Sequence, residues 1–316
     1  MSDLIHSKLV SVVLPAYNET GNIALIAEKL EDVLKPLNYR YEIIFINDGS
    51  KDSTQELIIS LASSNQNIHY IELSRNFGHQ NALKAGIDMA SGDCVISMDC
   101  DMQHPPELIT EFVRKWEEGY EVVYSIRKES KELTGFKRST SKLFYSMINS
   151  MSDINLEAGT ADFRLLDRKV VNIFCSLSEN EPFIRGLIKW LGFKQFAIEY
   201  NPSNRFAGKS QYTLKKMMRF ALQGITSFST KPLYTAVYLG FMFSMLSLLY
   251  IPYVIHALYT GQDVAGWASV IMTIVFFGGV QLIILGIIGI YIGKLFMQSK
   301  QRPTYIIRST SLKTNL

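Results

Sequence analysis

Between Lys231 and Asp263 the chain carries no Asp, Glu, Lys or Arg, and the same holds between Asp263 and Lys294. Each interval exceeds the roughly 20 helical residues that cross the apolar core of a bilayer. The spacing predicts two spans, about 233–255 and 266–292, joined by the short stretch "HALYTGQDVAG". Lysine and arginine flank the outer ends of both spans, which places those ends on the cytoplasmic side. The competing reading is a pair of buried helices in a soluble domain. A small transporter is disfavoured, because neither span holds an acidic or basic residue to mark a coupling path.

Ahead of the spans the pattern changes to alternating strands and helices. "LVSVVLP", "YEIIFIN", "IHYIELS", "CVISMD" and "EVVYSIR" are short apolar runs, the pattern of strands covered on both faces. Between the first two, Ile23, Ile26, Leu30, Val33 and Leu34 recur at helical spacing, with Pro36 as a stop. Ser53 and Glu56 have the spacing of a capping box, a further short helix fits 80–89, and Pro105 and Pro106 suit a helix's first turn. Repeated βα units imply an α/β domain with a mostly parallel sheet and flanking helices. Two basic amphipathic stretches, at 135–150 and in "YTLKKMMRFALQGITSF", fit ordinary packed helices or helices at the lipid interface, and the neighbouring spans favour the interface for at least one. The tail "RPTYIIRST" looks strand-forming and is placed to return to the first domain. The N-terminus carries no apolar run of signal-peptide form, so the start of the chain is expected in the cytoplasm.

Composition excludes little by itself. A net charge of +3 is too small to indicate nucleic acid, and Cys94, Cys100 and Cys175 show no metal-ligand spacing.

The chemistry is expected beyond the strand ends, where ligands bind in open parallel sheets. Asn18, Asp48, Arg75, Asp99 and Asp101 all follow a candidate strand. In an extended chain, Asp99 and Asp101 would point to the same side. A divalent cation relieves their repulsion, and hard oxygen ligands suit magnesium or manganese, which also hold phosphate oxygens. The first strand lacks a GxGxxG fingerprint and the chain lacks GxxxxGK[ST]. A nucleotide-linked substrate held by carboxylates and metal fits better than a Rossmann oxidoreductase or a Walker-type NTPase.

"VVLPAYNE", "INDGS", "LSRNFGHQ", "MDCDMQHPPE" and "NRFAGKSQYTLKKM", in this order and followed by two spans, resemble family 2 glycosyltransferases. The narrower resemblance is to polyprenyl-phosphate (bactoprenol) glucosyltransferases, relatives of dolichyl-phosphate mannose synthase. It implies a GT-A-like catalytic domain over 1–210, a juxtamembrane helix over 211–231, two membrane helices within 232–294 and a cytoplasmic tail over 295–316. The implied reaction is inverting transfer of glucose from UDP-glucose to undecaprenyl or another polyprenyl phosphate, with Mg2+ or Mn2+. The implied setting is the inner or plasma membrane, multi-pass, with both termini cytoplasmic, as a homo-oligomer for which a tetramer is permitted.

By the same resemblance, Pro15, Ala16, Tyr17, Glu19, Asp48, Asp99, Asp101 and Gln103 hold the donor, with Asp101 the better metal ligand and Asp99 beside it. Asn47 stands where the family usually has a first aspartate. Asp162, Asp101 and Arg205 take catalytic positions, with Arg164 near the loop or phosphate. Arg138, Arg205, Lys209 and Ser210 meet the acceptor and diphosphate, and Gln211 replaces the family's lysine after that serine. A phosphate acceptor is largely dianionic at neutral pH and needs no base, which favours Asp162 as an orienting residue over a proton acceptor. Two alternatives stay open: the same reaction with another sugar nucleotide, such as a mannose or modified-hexose donor, or an inactive membrane-anchored nucleotide-binding scaffold.

Overall fold

The computed structural model describes residues 8–128, 157, 159–180, 182–201, 224–249, 252, 255–256, 259–260 and 266–313. An eight-stranded mixed sheet organises the first domain. Its strands are β1 (Leu9–Ala16), β2 (Arg40–Asn47), β3 (Ile68–Leu73), β4 (Cys94–Ser97), β5 (Val122–Arg127), β6 (Thr160–Asp167), β7 (Gln195–Tyr200) and β8 (Ile307–Thr310). They lie in the order β7-β5-β6-β4-β1-β2-β3-β8. β1 pairs parallel with β2 and β4, β2 with β3, and β5 with β7. β6 runs antiparallel between β4 and β5. The expected α/β domain is therefore present, and β6 turns the purely βα pattern into a mixed sheet.

Helices cover both faces. Leu30 and Leu34 of α1 (Ile23–Leu34), Ile58 of α2 (Thr54–Ser64) and Phe112 of α4 (Leu108–Glu117) bury with Val12, Leu14 and Phe45 on one side. Leu83 of α3 (His79–Met89), Phe174 of α5 (Arg168–Ser176) and Leu187 of α6 (Ile184–Trp190) bury with Val13, Ile44 and Ile46 on the other. A Cβ at Gly86 would lie 2.2 Å from Val13 Cγ1 and 2.6 Å from Ile46 Cδ1, so α3 can press this closely on β1 and β2 only with glycine there. That contact fixes the helix whose first residues enter the site.

Two local expectations are corrected. Ser53 makes no capping bond; Asp52 accepts from the Thr54 N–H (3.2 Å) and hydroxyl (2.6 Å) instead. α4 starts at Leu108, so Pro105 and Pro106 lie just ahead of it, with their carbonyls accepting from Leu108 and Ile109.

Beyond the domain come α7 (Lys231–Leu248) and α8 (Trp267–Ser299). Among the described residues one helix is long and apolar enough to cross a membrane, within Val270–Ser299, and it continues past the expected end at 292. Of the two expected spans, one is thus found as a long apolar helix; α7 falls within the interval of the other and is described as far as Leu248. The amphipathic stretches at 135–150 and 211–223 lie outside the described residues.

The end of α8 is tied back to the first domain. Gln298 accepts from the Asn180 N–H (3.1 Å) and donates to the Ser178 carbonyl (2.5 Å). β8 then pairs antiparallel with β3, Arg308 and Ser309 bind Glu72 (3.0 and 2.7 Å), and the Tyr305 hydroxyl donates to Asp88 (2.8 Å). The tail does return, as its sequence suggests.

Candidate active site

The carboxyl ends of β1, β2 and β4 and the start of α3 meet at one edge of the sheet. β1 delivers Pro15 and Ala16 buried and Tyr17 exposed. Asn18 takes a left-handed φ of 56°, with its backbone N–H on Ser50 Oγ and its Oδ1 accepting from Lys51. Glu19 accepts from Asn22 Nδ2 (2.6 Å) and its N–H donates to Thr54 (2.9 Å). At the end of β2, Asn47 bridges the Ser50 N–H and the Gln55 side chain.

Asp48 is buried, and it caps no helix. Its two carboxylate oxygens accept from the Phe77 N–H (2.7 Å) and Gly78 N–H (3.0 Å). Burial raises its pKa, although both N–H groups counter this. Gly78, at φ 93°, turns the chain directly into α3. Asp48 therefore fastens the loop that aims His79 and Gln80 into the site. Arg75 stays local, over the Phe77 ring and on the Asn76 carbonyl (2.9 Å).

β4 stops at Ser97, so Asp99 and Asp101 occupy a turn, and strand alternation does not set their directions. Met102 takes φ 61° in that turn. Asp101 Oδ1 accepts from the Gln103 N–H (3.1 Å), and Gln103 Oε1 accepts from Arg127 (3.0 Å). Asp99 stands between two histidines, with His104 Nε2 3.1 Å from Oδ2 and His79 Nε2 3.4 Å from Oδ1. Burial would raise the Asp99 pKa, but His79 and His104 outweigh it and lower it.

His79 joins this turn to Asp162, whose Oδ2 lies 3.5 Å from the same ring nitrogen. Asp162 sits on β6 and is 4% exposed. Arg185, from α6, grips it with two bonds, Nε to Oδ1 at 2.7 Å and Nη2 to Oδ2 at 2.8 Å. Arg164 Nη2 lies 3.6 Å from Oδ1, and Gln80 Nε2 donates to Oδ2 at 3.3 Å. Burial would raise the Asp162 carboxyl, but Arg185 and then His79 hold it well below the ordinary carboxylate range. Burial would lower the His79 imidazole, yet Asp99 and Asp162 raise it to about 9, so it is a cation at neutral pH.

The structure thus brings Asp48, Asp99 and Asp162 to one edge, with Asp101 and Gln103 on the same turn as Asp99. Arg138, Arg205, Lys209, Ser210 and Gln211 lie outside the described residues. His79, Gln80, His104 and Arg185 were not legible as a group. The one local hint was a histidine five residues beyond Asp99 and another directly after the Asn-Phe-Gly turn.

The donor set fits a hard cation. Asp99 Oδ1 is buried without a hydrogen-bond partner, an oxygen of the kind magnesium or manganese takes. No group of three or more His, Cys, Asp or Glu side chains poised for a metal occurs among the described residues.

A family model described as Glycosyl transferase family 2 matches residues 11–174. The chain is 44% identical over 301 residues to the uncharacterized glycosyltransferase YkcC of Bacillus subtilis (strain 168), covering 95% of this chain and 93% of that one. It is 39% identical over 305 residues to the bactoprenol glucosyl transferase of Shigella phage SfV, covering 96% and 99%. Among solved structures, mannosyl-3-phosphoglycerate synthase from Rubrobacter xylanophilus is similar in fold, with TM-score 0.51 and 17% identity over 70% of this chain and 73% of that one.

Proposed function

Because this chain belongs to glycosyl transferase family 2, and so is a glycosyltransferase, we propose that it moves glucose from UDP-glucose to a polyprenyl phosphate at a membrane surface. The observation that carries this reading is similarity over nearly its full length to a bactoprenol glucosyl transferase. The products are UDP and a β-linked glucosyl phosphoryl lipid, formed in one inverting displacement.

Asp101 and Asp99 would hold Mg2+ or Mn2+, which when bound would offset the charge growing on the departing diphosphate. The protein's own groups handle orientation. Polyprenyl phosphate is dianionic near neutral pH, since a phosphate monoester has its second pKa near 6. The attacking oxygen therefore needs no base, and Asp162 is a poor one because its proton affinity is so low. Its role is to hold Arg185, a rigid fork of donors suited to phosphate. Arg205, Lys209 and Arg138 would add positive charge around the two anions as they approach.

Chain topology supports a second membrane crossing. The C-terminal end of α8 and β8 are both fastened to the catalytic domain. A single crossing by α8 puts Trp267 on the far side of the bilayer. The chain leaves β7 at Tyr200 on the near side, so this reading calls for a second crossing before Trp267. α7 lies in the charge-free interval that would supply that crossing, and the flanking lysines and arginines favour the catalytic domain and tail on the cytoplasmic face.

The test is to offer the purified full-length protein UDP-glucose, GDP-mannose or UDP-N-acetylglucosamine, each with undecaprenyl phosphate and Mg2+ or Mn2+. The lipid product is then weighed by mass spectrometry. A hexosyl phosphoryl lipid formed from UDP-glucose supports the proposal. Transfer from another donor alone overturns the sugar assignment, and no lipid product from any donor favours a binding scaffold.

A further inference from the structure

Behind the Asp99 turn lies a buried polar chain that the reaction as described does not use. His104 is 6% exposed and Tyr200, the last residue of β7, is 5% exposed. The Tyr200 hydroxyl is 2.8 Å from His104 Nδ1, and His104 Nε2 is 3.1 Å from Asp99 Oδ2. Phe163 of β6 packs on the imidazole with ring centroids 5.3 Å apart. A buried polar group is kept where its partners satisfy it. Here a neutral imidazole with its proton on Nε2 satisfies both contacts: Nδ1 accepts from Tyr200, and Nε2–H donates to Asp99. Burial pushes the Tyr200 phenol up to about 12, so it keeps the proton it donates.

We propose that Tyr200 and His104 are positioning residues which lock Asp99 Oδ2, leaving Oδ1, which also faces His79 at 3.4 Å, for the donor's metal–diphosphate. The inference rests on the reading that the Asp99/Asp101 turn binds that group. Outer partners of this kind fix a ligand's orientation, and losing one costs about 10–100-fold in metal affinity or activity. The relay also links sheet edges. β7 and β4 are separated by β5 and β6 in the strand order, so the carboxylate's orientation depends on an element three strands away.

The experiment measures Mn2+ affinity in the presence of saturating UDP, by electron paramagnetic resonance on the full-length protein. The set is wild type, Asp101→Asn, His104→Phe, His104→Gln and Tyr200→Phe. Thermal melting is recorded for each, and Tyr200→Phe keeps the packing should His104→Phe fail to fold. The expected result is a 10–100-fold weaker Mn2+ affinity in His104→Phe. A smaller loss is expected in Tyr200→Phe, and His104→Gln should recover much of the affinity because its amide can donate to Asp99. Unchanged Mn2+ affinity in folded His104→Phe and Tyr200→Phe, with affinity lost in Asp101→Asn, overturns the relay and leaves the metal site standing. Equal loss in His104→Gln and His104→Phe also overturns it, since the donor to Asp99 would then not matter. Absence of UDP-dependent Mn2+ binding in wild type overturns the donor-site reading and the relay with it.

Discussion

Asp162→Asn removes one charge from the most heavily engaged carboxylate in the site while nearly preserving its shape. Arg185 would lose a two-bond partner at 2.7 and 2.8 Å, and Arg164, 2% exposed, would lose its nearest carboxylate at 3.6 Å. Removing one partner of a buried ion pair costs about 3–5 kcal/mol, and the partial exposure of Arg185 argues for roughly 3 kcal/mol here. The folded-state pKa of Asp162 is depressed. Its stabilisation is therefore fully present above the unfolded value of about 3.9 and is lost as pH falls through the folded value. The stability gap between wild type and the variant should be flat above pH ~4 and shrink below it. In catalysis, a misaimed Arg185 should cost about 100-fold in turnover, typical of misplaced positioning groups. The assay is the initial rate of glucosyl-lipid formation from pH 6 to 9. The orienting role predicts a constant ratio of rates across that range. A loss confined to low pH, with the two rates converging well above the acceptor's second pKa near 6, would refute it and restore Asp162 as a base.

Other expectations follow from single contacts. Asp48→Ala leaves the Phe77 and Gly78 N–H groups without their acceptor, at about 1–3 kcal/mol each if they stay buried. Hydrogen exchange at the start of α3 should rise, and the KM for UDP-glucose with it; unchanged exchange there would show that another group holds the loop. Gly86→Val should cripple folding, because even a Cβ would meet Val13 at 2.2 Å, and a soluble, active variant would contradict the packing of α3 on the sheet. Tyr305→Phe should loosen the tail by about 1 kcal/mol, read as faster hydrogen exchange in β8. For topology, cysteines from Gln262→Cys and Lys313→Cys should react with a membrane-impermeant thiol reagent from opposite sides, and labelling from the same side would remove the second crossing.

The first five strands were legible because each is a short, nearly continuous apolar run between turn residues. β6 was not, since Asp162 and Arg164 lie on its buried face and break up the apolar pattern. The two-bond grip of Arg185 from α6 on Asp162, which no local pattern records, helps that strand bury charge. Asp48, Asp99 and Asp101 could be read from their places after strands, whereas Asp162, inside β6, came only through the family resemblance. Their partners His79 and Arg185 could not, because α3 and α6 carry them and they meet the carboxylates only through the sheet order. Alternation failed for Asp99 and Asp101 because β4 ends two residues before the first of them. Charge-free length revealed the long apolar helix α8 directly, while the fastening of its C-terminal end by Gln298 and β8 depends on contacts more than 100 residues apart in sequence.

The most direct measurement follows isotope-labelled glucose from UDP-glucose into undecaprenyl phosphate, comparing wild type with a variant carrying both Asp99→Ala and Asp101→Ala. The account predicts a lipid heavier by one labelled hexose with wild type and none above background with the variant. Equal labelling by both proteins, or label that never reaches the lipid, would contradict it.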